Sequence, residues 1–325
     1  MSGSADSTLR GYQSPAYRDS FRPFGEVLTL PGSGLHVLKR PLPDGHHDLV
    51  GLYPFSSCPS WAGLAGDLDS LRGSGAVALS LVSDPFRKDE AVAAMSGWAV
   101  CRPFKTHWVV DLTGDWRAGR SRNTRYYAAK GCAAQEVFVS DDPAGFAKKF
   151  WTLYADAADR LGMGSMQRLS PAIIAGHLAL PDAFLVVART GDGPTGAMIT
   201  VDMGEAAHLH VMGMTAAAAK LHTSYALFHT ALDHLEARGC RLVSLGGGAG
   251  LTNDPEDGLY RFKKRWATEA RTTYLGGAVL DPKAYAALTT RSGAAVSSYF
   301  PAYRAPGSPL AWTPPVTCPG GGSAL

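Results

Sequence analysis

The sequence predicts an α/β protein, α+β in arrangement, built as two domains that each carry a mixed, mostly antiparallel sheet flanked by helices. Three observations lead there. The chain has 325 residues, about two domains' worth. It is 46% hydrophobic and 18% charged with a mean hydropathy of −0.05, a composition that folds and that excludes fibrous, coiled-coil and disordered classes. Its apolar residues switch repeatedly between a period of 2 and a period near 3.6, the two spacings that put side chains on one face of a strand or of a helix.

The ends lack such periodicity. Residues 1–20 are rich in Ser, Gly and charge, and 305–325 include Thr313-Pro314-Pro315 and Gly320-Gly321-Gly322, so both are expected as disordered tails. Trp61, Leu64, Leu68 and Leu71 then mark a helix and Val77, Leu79 and Leu81 a strand. Residues 107–112 and 135–139 read as strands around a short basic helix, 121–130. Phe146, Phe150, Leu153, Ala157 and Leu161 describe an amphipathic helix closed by Gly162, and Ser170-Pro171 an N-cap and first-turn pair. Strands at 184–189, 196–203 and 208–214 are joined by Gly/Asp-rich turns that suit antiparallel hairpins. A helix carrying Leu221, Tyr225, Phe228, Leu232 and Leu235 ends at Gly239, and a strand at 241–245 follows. The expected domains are 21–145, with 282–304 as a candidate completion, and 146–281.

Thirty-one Lys plus Arg against 28 Asp plus Glu leave a net charge of +3, so any polyanion site must be a local patch. Five scattered cysteines without a C-x-x-C pair indicate neither a disulfide framework nor a zinc finger and suit a reducing cytoplasm. No stretch approaches the length of a membrane span, and no apolar leader is present, so neither export nor stable membrane insertion is expected. P-loop, zincin and nucleophile-elbow motifs are absent. Gly191-Asp192-Gly193-Pro194-Thr195-Gly196 matches a dinucleotide fingerprint only formally, since it lies between two strands, and it reads as a hairpin loop. His208 and His210 share one strand face but lack a third ligand at a sensible spacing, so no metal is expected.

The order β-β-β-α-β over 184–245 is the layout of the GNAT acyltransferase core. Beyond it, Gly246-Gly247-Gly248-Ala249-Gly250, the acidic stretch from Asp254 to Asp257, Tyr260-Arg261-Phe262-Lys263-Lys264-Arg265-Trp266 and Tyr274-Leu275-Gly276-Gly277 together resemble the C-terminal signature of the Fem-like peptidyl transferases. The resemblance implies two GNAT-like domains and amide formation, with an amino acid moved from aminoacyl-tRNA onto an amine, as in cell-wall or natural-product biosynthesis. It implies that Lys263 meets the reacting carbonyl or the tRNA end and that Phe262 helps to hold the tRNA terminus.

The residues alone make the same chemistry reasonable. An aminoacyl ester is already activated, and an unprotonated amine is already a nucleophile. The protein must therefore align two substrates and place a cation where the tetrahedral intermediate gains charge. Lys263 is the candidate cation; Tyr225 and His210 are candidates for a general acid. No other cofactor is required.

Two basic patches with aromatic neighbours could follow a tRNA backbone: Arg117, Arg120, Arg122, Arg125 and Lys130 beside Tyr126 and Tyr127, and Arg261, Lys263, Lys264 and Arg265 beside Tyr260, Phe262 and Trp266. Lys105 could bind an acceptor's phosphate or carboxylate, or serve only as a solubilising charge at a strand edge. Two other readings stay open. One is acyl-CoA-dependent N-acylation, weakened because the segment from Thr215 to His222 has no glycine to let backbone approach a pyrophosphate. The other is a non-catalytic binding module.

Overall fold

The computed structural model describes residues 9–164, 168–250, 253–294 and 297–312. The chain forms two compact units, and both are discontinuous. Among the described residues, unit 1 contains 9–11 and 106–271, and unit 2 contains 12–105 and 272–312. This differs from the division expected at 145/146. Residues 106–111 hydrogen-bond into the unit 1 sheet and the helix that follows packs on another unit 1 helix, so both segments stay with the second half of the chain.

In unit 1 the strands β7 (Ala183–Thr190), β8 (Gly193–Asp202) and β9 (Ala206–Met214) form an antiparallel meander, and β6 (Glu136–Val139) flanks β7. The helix α7 (Thr223–Ala237) then leads to β10 (Leu242–Gly246), which runs parallel to β9 as a helical crossover requires. The 106–111 part of β5 (Val100–Asp111) pairs antiparallel with β10. Strand pleating divides the core into two layers. Val186, Ala188 and Met198 face α7 through Leu227, Phe228, Leu232 and Leu235, while Leu185, Val187, Ala197 and Ile199 face α5 (Ala147–Arg160) and α6 (Pro171–Leu178). Two glycines allow close approach. A β-carbon on Gly213 would stand 2.6 Å from the Tyr154 nitrogen of α5, and one on Gly131 of α4 (Arg122–Ala134) would stand 2.7 Å from the His222 carbonyl at the start of α7.

Unit 2 repeats the same order. An antiparallel meander of β1 (Val27–Thr29), β2 (His36–Pro41) and β3 (His47–Gly51) is followed by α2 (Leu64–Leu71) and by β4 (Ala76–Val82), parallel to β3. Then come α3 (Lys88–Ala94) and, much later in the chain, the 272–279 part of β11 (Glu269–Val279), antiparallel to β4. Both units are thus mixed, mostly antiparallel sheets flanked by helices.

The expected N-terminal tail is corrected for residues 11–20. Ser14 caps α1 (Pro15–Ser20) by accepting the Tyr17 amide at 3.1 Å, and Tyr12 and Tyr17 bury their rings against each other, with Phe55 beside Tyr12 and Phe21 beside Tyr17. A few large rings anchor a segment whose average composition is polar. Residues 1–8 and the Pro- and Gly-rich runs from 313 onward lie outside the described residues.

The end of unit 2 is held by a buried ion triad. Asp48, fully enclosed, accepts from Arg40 Nε at 2.7 Å and from Arg304 Nε at 2.9 Å, and Arg304 also donates to the carbonyls of Pro41 and Leu310. Replacing Asp48 by Ala strands two guanidinium groups away from water. The variant should lose about 3–5 kcal/mol in urea unfolding, the cost of breaking a buried pair from one side.

Candidate active site

The parallel ladder between β9 and β10 is short. Leu242 pairs with Ala206, Val243 with Ala207 and Ser244 with His208, after which β10 ends at Gly246 while β9 continues to Met214. Beyond His208 and Ser244 these two strands therefore part; this gap in the ladder, the crevice, lies at their carboxyl ends, the usual place for a ligand in sheets of this kind. In unit 2 the corresponding ladder is longer. There the pairing of β3 with β4 is prolonged by a parallel bridge between Ser56 and Ser83, with the Ser56 amide donating to Val82 at 2.7 Å.

Gly246 lines the unit 1 crevice with φ +77°, and a β-carbon there would stand 3.0 Å from Lys263 Nζ and 3.3 Å from His208 Nε2. Ammonium and imidazole therefore converge on one bare backbone position. Lys263 comes from α8 (Gly258–Lys264) and donates to the Gly247 carbonyl at 2.8 Å. The helix is set by Asp257, which accepts the amides of Tyr260 at 2.8 Å and Ala249 at 2.9 Å and so folds the glycine-rich loop onto the helix start. Arg261, Lys263 and Lys264 occupy its last turn, where the helix dipole favours cations. Behind it Trp266 is fully buried. Phe262 is half-buried and packs on Tyr225 at 5.0 Å and Phe228 at 4.9 Å between ring centroids.

A row of enclosed imidazoles borders the crevice. His107 Nδ1 lies 3.1 Å from Ser244 Oγ, the His107 ring stacks over that of His208 with centroids 6.3 Å apart, and His210 Nε2 lies 2.9 Å from His177 Nδ1 on α6. Burial pushes His208 well below the ordinary histidine value, helped by the positive potential of His107 and Lys263. Burial does the same for His210, helped by His177 and His208, and it pushes His177 down to about 3. At neutral pH these three rings are uncharged. Among the described residues no group of three or more His, Cys, Asp or Glu is gathered to hold a metal.

The two basic segments expected from the sequence meet in unit 1 through aromatic rings. Tyr127 of α4 lies 5.4 Å from Tyr225 of α7, and Arg265 Nη1 donates to the Tyr225 hydroxyl at 3.3 Å. Arg122, Arg125, Tyr126 and Lys130 form one exposed ridge of α4, and none of the three cations has a carboxylate partner among the described residues. Arg117 and Arg120 are corrected out of that ridge. Arg117 is held by Glu236 at 2.9 Å and Asp233 at 2.6 Å, and Arg120, 6% exposed, is wedged between the rings of Trp116 and Trp266. Arg261 pairs with Glu256, Lys264 stands over Trp108, and Lys105 is buried in unit 2, so it is no edge charge on the surface. His107, His177 and Ser244 were not singled out from sequence. The first and last lay on expected strands, but the register that joins them was not readable.

Two measurements check this geometry. Gly246→Ala should destabilise the protein by about 1 kcal/mol or more in urea unfolding, since a side chain is strained at this φ and would crowd both Lys263 and His208. Because the folded pKa values of His177, His208 and His210 are depressed, their contribution to stability is complete above the unfolded value of ~6.5 and is lost as pH falls below it, where only the unfolded chain binds the protons. The urea midpoint should therefore drop on acidification from about pH 7.5 to 5, and His177→Gln should reduce that slope.

No curated protein sequence matches this chain. Residues 117–264 match the acetyltransferase (GNAT) domain family. The structure of FemX superposes with a TM-score of 0.63 at 12% identity, covering 85% of this chain and 94% of that one. L-PGS from Bacillus licheniformis gives 0.54 at 15% identity, covering 81% and 87%. A C-terminal domain of a candidate lysylphosphatidylglycerol synthetase from Agrobacterium fabrum gives 0.58 at 16%, covering 86% and 91%. Among the described residues no helix is long and apolar enough to cross a membrane. The chain thus shares the fold of FemX, and the GNAT-matched residues 117–264 lie in unit 1.

Proposed function

We propose that the protein is an aminoacyltransferase that takes an aminoacyl group from aminoacyl-tRNA and forms an amide with the amine of a small-molecule or peptidyl acceptor. The observation that carries this reading is the ammonium of Lys263 at the parting of β9 and β10, in the unit whose exposed cations Arg122, Arg125 and Lys130 have no carboxylate partner among the described residues. In the reaction the amine nitrogen attacks the ester carbonyl, the carbonyl oxygen takes up negative charge, and Lys263 stabilises it. As the C–O bond to the ribose breaks, the proton from nitrogen passes to the departing ribose oxygen through its neighbouring hydroxyl, or Tyr225 gives its proton to that oxygen and takes up the one from nitrogen. His210, tied to His177 and uncharged, is the weaker acid of the two named from sequence. The ridge of Arg122, Arg125, Tyr126 and Lys130, with Arg265 and Phe262 at its inner end, would follow the phosphate backbone and receive the terminal bases. Arg261 and Lys264 add charge at the rim.

The acyl-CoA reading has one observation in its favour, the match to an acetyltransferase domain family. Against it, the segment before α7 is a turn of four alanines, Ala216–Ala219, followed by His222 at φ +54°, with no side-chain cap and no glycine. Product formation that survives ribonuclease and releases CoA from acetyl-CoA would establish it in place of the tRNA reading.

Lys263→Ala should lower turnover by about 10²-fold with the fold intact, the size expected for losing an oxyanion partner. An unimpaired variant would remove the catalytic assignment. Arg122→Glu together with Arg125→Glu should weaken tRNA binding in filter assays and reduce the slope of log affinity against log salt by roughly one per lost phosphate contact. Unchanged binding would separate α4 from the tRNA.

A further inference from the structure

The hydrogen bonds of Ser244 determine the tautomer of His107. Ser244 is fully enclosed; its Oγ accepts the Gly246 amide at 3.1 Å and lies 3.1 Å from His107 Nδ1. The amide can only donate, so the hydroxyl hydrogen has one acceptor among the described residues, His107 Nδ1. Were Nδ1 protonated instead, the hydroxyl would face two donors and its own hydrogen would be buried without a partner, an arrangement costing about 1–3 kcal/mol. With Nδ1 accepting, the ring carries its hydrogen on Nε2.

The neighbours of this ring give the tautomer a chemical meaning. His107 stacks on His208 at an interplanar angle of 28°, and His208 Nε2 converges with Lys263 Nζ beside Gly246. His107 and Lys263 therefore flank His208. We infer that Ser244 is a positioning residue that fixes neutral His107 as the Nε2–H tautomer, so that its Nε2 carries a hydrogen and is not a base. In that tautomer the proton of an attacking amine leaves with the departing hydroxyl and is not taken up by His107. The kinetic part of this inference rests on the acyl transfer proposed above; the tautomer itself does not.

Nitrogen-15 NMR of the imidazoles in the full-length protein, with the His107 signals assigned through His107→Gln, tests the tautomer without any substrate. The expected result is a proton bonded to Nε2 in the wild type and a mixture of both tautomers in Ser244→Ala. A proton on Nδ1 in the wild type overturns the inference. In turnover assays with aminoacyl-tRNA, or with acetyl-CoA should that donor be the active one, Ser244→Ala should lower kcat by about tenfold with KM little changed. That is the size usual for losing the partner that orients a functional imidazole. Ser244→Thr, which keeps the hydroxyl, should recover most of the rate. A wild-type kcat in Ser244→Ala despite a changed tautomer would overturn the functional part. If Ser244→Ala does not fold, the wild-type spectrum and Ser244→Thr still decide.

Discussion

A hydrogen-bond ladder that stops early shapes everything around the crevice. Parallel strands normally continue to exchange backbone hydrogen bonds as long as both remain extended. Here β10 ends two residues after its last partner on β9, at a glycine in the left-handed region, while β9 goes on for six residues more. The turn at Gly246 redirects the chain so that the glycine-rich loop can fold onto Asp257 and deliver α8 with Lys263 back over the gap. In unit 2 the same stage of the fold carries Ser56 against Ser83, and the gap is closed. Two units of one architecture thus differ in a few backbone hydrogen bonds at the same stage of the fold.

The electrostatics follow from burial. Three imidazoles next to an ammonium could have formed a strongly positive cluster, but desolvation holds His177, His208 and His210 neutral beside Lys263. A charge among neutral dipoles acts at short range with little water to screen it. On the outer surface the logic reverses. Arg117 is neutralised by α7 carboxylates and Arg120 is stacked between indoles, so the charge that faces solvent comes from the next turns of α4.

What the sequence made legible depended on how local the cause was. Side-chain periodicity located β7, β8, β9, α5, α7 and β10, because each of those segments buries one continuous face. The Phe262-Lys263 pair was legible through family resemblance, since its neighbours along the chain form a recognisable run. The first meander of unit 2 was missed; its strands are three to six residues long and interrupted by Pro and Gly. The N-terminal segment was misread because a few tyrosines and a phenylalanine, not average composition, hold it. The bond between His107 and Ser244 joins positions 137 apart, and nothing near either residue specifies the strand register that brings them together. Arg117 looked like its exposed neighbours until the carboxylates of a helix more than a hundred residues later were in view.

The order in which the two sheets receive their last strands bears on synthesis. Unit 2 begins at residue 12, yet the strand beside β4 is drawn from residues 272–279, whereas the strand beside β10 is made early, as part of β5. On the ribosome, the earlier-made meander must therefore wait, with β4 incomplete along one edge, until residues 272–279 have emerged. Its open edge is exposed to mispairing throughout that interval.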